Sequence, residues 1–263
     1  MKKLLLLLFL IPLISCAEDW TGEKEVTFLQ DRNGIRYEVN SDVGFTGKYV
    51  EYFENGQKNI EEHLKLGKRN GLLTFWYENG QKESEGNYKN GKLEGLLTFW
   101  HDNGQKASEI NSKNGYFDGL VTEWHKNGQK MSESNWKNGK QDGLKTEWHK
   151  NGRKESEGKW KNDKQEGLLT AWYENGQKRT EINYKNGKKE ELQTRWHENG
   201  QKRTEINYKN DKQDGLVTEW HENGQKRSEV NWVVGKVDGV VTFWDKEGDV
   251  TKTDTYKDGK LVK

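Results

Sequence analysis

The sequence predicts an all-β fold, an elongated antiparallel meander of about nine 24-residue β-hairpin repeats, and three observations predict it. Asn-Gly recurs at a fixed interval, at Asn55-Gly56, Asn79-Gly80, Asn103-Gly104, Asn127-Gly128, Asn151-Gly152, Asn175-Gly176, Asn199-Gly200 and Asn223-Gly224, with Glu247-Gly248 closing the series. Short runs between the turns alternate with period 2, as in Leu72, Thr74 and Trp76, the pattern of a strand with one constant face. Beyond Pro12 there is no proline, so each strand can keep its ladder of backbone hydrogen bonds, while Asn-Gly interrupts every helical window within roughly 12 residues.

Taken in order, Met1-Lys2-Lys3, an apolar run over residues 4–14 and Ser15-Cys16 form a charged region, a short hydrophobic region and a cleavage site. Residues 1–15 are therefore expected to be a lipoprotein signal peptide, too short to span a membrane. Leu13-Ile14-Ser15-Cys16 resembles the bacterial lipobox, which makes Cys16 the expected lipidation site and Ala17 an outer-membrane sorting signal. Cys16 is the only cysteine, which excludes an intrachain disulfide. Several acyl chains on that one residue would anchor the protein stably. Residues 16–24 are the expected lipidated tether.

Residues 25–46 are expected to form a capping hairpin, with strands over 25–30 and 35–40 around Asn33-Gly34, that covers the open edge of the sheet. Residues 47–263 are the repeat array. Its last strand, over 253–263, carries Lys257, Lys260 and Lys263, which discourage pairing with another sheet. About 18 strands at roughly 4.8 Å give a ribbon on the order of 85 Å long.

Each unit carries two Asn-Gly turns and hence two antiparallel strands. In the first strand Leu72, Thr74 and Trp76 recur as far as Val240, Thr242 and Trp244, while the intervening positions vary. In the second strand Ser84, Gly86 and Tyr88 form one set of columns, and Glu85 and Asn87 the other. A two-residue turn would pair Trp76 with Glu83. A three-residue turn with a bulged Gly80 would pair Trp76 with Lys82, Thr74 with Ser84 and Leu72 with Gly86. The second register is preferred, because it gathers Trp, Leu, Thr, Ser, Ile and Tyr on one side and leaves Glu85 and Asn87 on the other. It also sets lysines between successive indoles, worth roughly 0.5–1 kcal/mol each.

Hydrophobic residues make up 30% of the chain and charged residues 33%, so a thick two-layer core is not expected. The 12 Trp, 10 Tyr and 8 Phe at fixed spacing nevertheless argue against disorder. With 44 basic and 43 acidic side chains interleaved in every repeat, the clustered positive charge that binds nucleic acid is missing.

His101, His125, His149, His197 and His221 form a column, with His63 apart. Equivalent positions lie two strands apart, roughly 9–10 Å, whereas a shared metal needs ligand atoms about 2.1 Å from the ion, so the column is read as a solvated rim. The column from Glu85 to Glu229 is read as cross-strand ion pairs or as groups that solvate the backbone. The Ser column has no neighbouring base, and the glycines make turns rather than a phosphate cradle. With every repeat alike, no position stands out as a reaction centre, and no enzyme activity or cofactor is expected. The varying face is the functional lead: Phe75, Phe99 and Phe243 make its ends apolar, and Glu123, Glu147, Arg195 and Glu219 charge its middle.

Tyr88-Lys89-Asn90-Gly91-Lys92-Leu93-Glu94-Gly95 and Trp136-Lys137-Asn138-Gly139-Lys140-Gln141-Asp142-Gly143 resemble the MORN repeat, with Glu94 and Asp142 where that pattern usually has His. With the half-repeat Tyr77-Glu78-Asn79-Gly80-Gln81-Lys82, the chain is similar to the bacterial MORN variant of YwqK-type antitoxin proteins. Asn33-Gly34-Ile35-Arg36-Tyr37 and Phe45-Thr46-Gly47-Lys48 look like that family's start, and the resemblance covers about residues 30–263. It implies a β-repeat fold and a protein that neutralises a toxin by binding it. The expectation is a non-enzymatic, lipid-anchored protein that binds another protein at the cell envelope, on the outer membrane or cell surface. The alternative is a structural surface module that contacts glycan or membrane lipid.

Overall fold

The computed structural model describes residues 23–262, so Cys16, the signal segment and most of the expected tether lie outside the described residues. Twenty-one strands form one sheet, and a separate two-stranded sheet lies near the start. From Gly47–Tyr52 onward, consecutive strands are antiparallel neighbours, as the meander reading expects, with Lys236–Val237 and Gly239–Trp244 both pairing with Lys226–Val233 as one interrupted strand. Long strands such as Lys68–Trp76 alternate with shorter ones such as Lys82–Lys89.

The two Asn-Gly turns of a unit are different structures. At Tyr77–Gln81 the Gly80 amide donates to the Tyr77 carbonyl at 2.9 Å and only Gly80 is left-handed, with φ 81°. This is a type I turn followed by a left-handed glycine. At Asn90-Gly91 both residues are left-handed, φ 51° and 80°, the type I′ pair that joins Lys89 directly to Lys92.

Trp76 pairs with Lys82 and Trp100 with Lys106, as the three-residue turn requires. Past that point the expected register fails. Lys82 and Glu83 together oppose Trp76, and this bulge puts Phe75 opposite Ser84, Thr74 opposite Glu85 and Leu72 opposite Asn87. One inserted residue exchanges the two sets of side chains on the second strand. The Trp, Thr and Leu columns therefore share their face with Glu85 and Asn87, while the Ser, Gly or Ile, and Tyr or Trp columns join Leu73 and Phe75.

On the Trp face a lysine nitrogen lies over each indole from Trp76 to Trp244, with Lys58 5.6 Å and Lys82 5.8 Å from the next ring's centre. Each of these lysines also binds the glutamate three residues on, as in Lys130–Glu133 at 2.5 Å and Lys178–Glu181 at 2.6 Å. The glutamate column thus pairs within its own strand across the bulge rather than across strands. Leu96, Leu120, Leu144 and Leu168 are exposed on this face. The buried apolar residues, among them Leu73, Val121, Ile182, Ile206, Val217 and Val241, lie on the opposite face.

That opposite face is the inside of a bend. In each long strand three residues face one on the preceding strand, Asn70 to Leu72 against His63 and Asp118 to Leu120 against Asn111. One of the three is left-handed, in most of these strands the central one, with φ 131° at Gly143, where an added Cβ would stand 2.8 Å from the Asn135 Cβ. Glycine is required there both by conformation and by contact. The bulge takes the Leu120 and Leu144 carbonyls out of the ladder, and Asn111 Nδ2 and Asn135 Nδ2 donate to them at 2.9 and 3.1 Å. Leu93 before the bend and Leu97 after it both reach Gly86, so the two halves of the strand fold toward one side.

At the start, Glu25–Val26 runs parallel to the edge strand Gly47–Tyr52, and Gln30–Arg32 pairs with Ile35–Tyr37 around Asn33-Gly34. The expected single hairpin over 25–40 is therefore divided, its first residues going to the sheet edge and the rest forming the small sheet. Arg36 N donates to Gly67 O at 2.9 Å and Gly67 N to Phe45 O at 2.7 Å, which fastens this segment to the first repeat. Glu62, 2% exposed, is held there by Arg69 at 2.7 Å and Arg36 at 3.4 Å.

Candidate functional site

The seven residues singled out on the varying face fall into one continuous row. Across successive strands Phe75 pairs with Ser84, Ser84 with Phe99 and Phe99 with Ser108. Glu123 pairs with Ser108 and Ser132, and Ser132 with Glu147. The row then runs through Ser156, Ala171 and Thr180 to Arg195, and through Thr204, Glu219 and Ser228 to Phe243. It lies on the inner side of the bend. Its varying members are half-buried, except Ala171, which is buried, and Arg195, which is exposed.

Sequence reasoning put the hydroxyl column on the other face and so missed half of this row. The bulge at Glu83 and its equivalents is what brings the hydroxyls in. They are working partners: Ser132 Oγ donates to Glu123, Ser156 Oγ to Glu147 at 2.5 Å and Ser228 Oγ to Glu219 at 3.3 Å. Burial pushes the Glu147 carboxyl up, but hydrogen bonds from Lys145 and Ser156 leave it below the ordinary glutamate range.

The histidine column is not a solvated rim. These residues are half-buried, and His101, His149, His197 and His221 donate through Nε2 to the tryptophan carbonyl of the next repeat, His101 to Trp124 at 3.0 Å. Tyr77 and Tyr173 do the same through the phenol, at 2.8 and 2.7 Å. A flat ring with a donor at its far end suffices, which explains why Tyr and His interchange at this position. No group of three or more His, Cys, Asp or Glu among the described residues is placed to hold a metal ion.

Both rows of turns are tied to the next repeat. Asn79 Oδ1 accepts from Gln81 N inside its own turn, and Asn79 Nδ2 donates to Asp102 O at 3.0 Å in the following one. On the other edge Gly91 N donates to Arg69 O at 2.8 Å, while Glu94 accepts from Asn114 N at 2.7 Å.

The family model described as MORN repeat variant matches residues 45–65, 69–90, 93–114, 117–138, 165–186, 192–210 and 213–233, more than half of the chain. The chain belongs to the MORN repeat variant family. Residues 139–164 lie between matches, yet Lys140–Trp148 and Lys154–Lys161 pair in the same bulged register as the other MORN repeats. The acid in place of the pattern's usual His, Glu94 in one repeat and Asp118 in the next, is the group that accepts the following turn's amide. MORN repeats make this a repeat protein built for binding or interaction. No curated protein matches the chain.

Proposed function

We propose that this MORN repeat protein is a non-enzymatic binding module that takes a protein partner on the row from Phe75 to Phe243. The continuity of that row supports the reading: phenylalanines at both ends, charges between them, all on the inner side of one bent sheet. Such a strip offers apolar anchors flanking a polar centre, the arrangement by which surfaces combine affinity with specificity. The lipobox around Cys16 supports attachment to the cell envelope, and the resemblance to YwqK-type proteins supports an immunity or antitoxin-like role for the captured partner.

Crosslinking and co-purification of the lipidated protein from its own envelope tests this. The expected result is a protein partner lost on Phe99→Ser or Glu123→Ala. Recovery of the same proteins by those variants would refute the assignment to this face. Glycan arrays and liposome flotation of an unlipidated form test the rival surface-module reading, which needs the Trp face. The lysines already seated over those indoles speak for the first reading.

A further inference from the structure

Arg195 reverses the charge of the row. Glu123, Glu147 and Glu219 accept from Ser132, Ser156 and Ser228, but the residues facing Arg195 are Thr180 and Thr204. A guanidinium only donates. Thr204, between Arg195 and Glu219, is 9% exposed, and its Oγ1 has no partner among the described residues. Gln193, 4% exposed and opposite Ile206, has an equally unpartnered Oε1, while its Nε2 reaches Thr180 Oγ1 at 3.3 Å. Buried polar atoms without partners are rare in native proteins.

The chain has eight arginines. Arg32, Arg36, Arg69, Arg153 and Arg227 each have a carboxylate or carbonyl acceptor. Arg179, Arg195 and Arg203 have none among the described residues, and all three line one open cavity of about 420 Å³ together with Tyr173, Thr180 and Gln193.

We propose that this cavity is an oxyanion-binding site, suited above all to a carboxylate. The bound group takes the place that a glutamate carboxylate holds elsewhere in the row. The three guanidiniums supply charge-assisted, fork-shaped donors. Gln193 Oε1, which lines the cavity without a partner, accepts from a hydroxyl or N–H on the same ligand. The carboxylate comes from a free small molecule or from an acidic side chain of a protein. The site does not depend on the protein-partner reading, because a free carboxylate can fill it.

The test is titration of the full chain with succinate and, separately, with an Asp- and Glu-rich peptide, followed by calorimetry. Arg195→Glu is the informative variant, since it sets here the glutamate that the following repeat carries as Glu219 and turns a donor lining the cavity into an acceptor. Saturable binding in at least one arm is expected, weakened about tenfold or more by Arg195→Glu, with the strand circular dichroism unchanged. The tighter arm identifies the source. Arg195→Gln, which removes charge without adding the acid, should weaken the same arm. Absence of saturation in both arms, or equal binding by both variants, would overturn the proposal.

Discussion

Several side chains, Leu66, Val234 and Glu191 among them, occupy left-handed backbone positions that most of the array gives to Asn or Gly. Val234 is left-handed, φ 49°, in a turn position that Asn fills in most repeats. Glu191 has φ 61° at the bend where the other repeats have Gly, and its carboxylate draws the Asn183 amide to itself at 3.1 Å. Such conformations cost a β-branched or long side chain free energy that Asn and Gly do not lose. Val234→Asn and Glu191→Gly should each raise stability by about 1 kcal/mol, read as an upward shift of the urea midpoint. In the opposite direction, Glu62→Ala removes the acid that neutralises Arg36 and Arg69 at the first repeat. It should cost about 3 kcal/mol and first expose the residues around Gly67 to hydrogen exchange. Burial pushes the Glu61 carboxyl up, but the hydrogen bond from Lys58 and the charges of Lys58, Lys48 and His63 leave it lowered. A lowered folded value means that this stability is complete above the unfolded value of about 4.3 and is lost as pH falls through the folded value. Thermal midpoints should therefore drop between about pH 5 and pH 3, and less steeply in Glu61→Gln.

At the scale of the hairpin, the turn asparagine has two tasks, closing its own turn and bonding the next. Asn103 accepts from Gln105 N and donates to Lys126 O at 2.9 Å, so Asn103→Ala should cost about 1–2 kcal/mol, with faster amide exchange in both adjoining turns. Asn103→Asp keeps the acceptor and loses the donor, and should fall between. These elements also show what the sequence could and could not convey. Repeat length, strand alternation and the Trp–Lys ladder were legible, because Asn-Gly and period 2 are local signals. Which face Ser84 and Glu85 adopt was not, because it depends on the extra residue at Glu83, and nothing in the letters marks a bulge one residue beyond a turn. The bend was hidden for a related reason: Gly95 looks like another turn glycine until Asn111 is seen supplying a bond beside the equivalent Gly119. The row from Phe75 to Phe243 was recognisable by its variation, whereas its alternation with hydroxyls required the register.

The whole molecule is a one-dimensional stack, each unit bound mainly to its neighbours, so stability should follow the sum of repeat and junction terms. Excising residues 117–140, one full period, should leave the remaining turns in register. Circular dichroism per residue should be unchanged and the denaturant slope reduced in proportion to length; a collapse of the strand signal would contradict local stacking. The fastenings between units also have a direction. Side chains of one repeat donate to carbonyls of the following repeat, from Asn55 through to Asn223, which donates to Lys246 O at 2.7 Å. In the last turn of this row Asp245 stands where Tyr or His donates, and Glu247 where Asn donates, and Asp245 Oδ1 turns back to its own loop amides. The last link of the chain thus lacks its hooks. A carboxylate only accepts, so the outgoing fastenings of this row cease with His221 and Asn223.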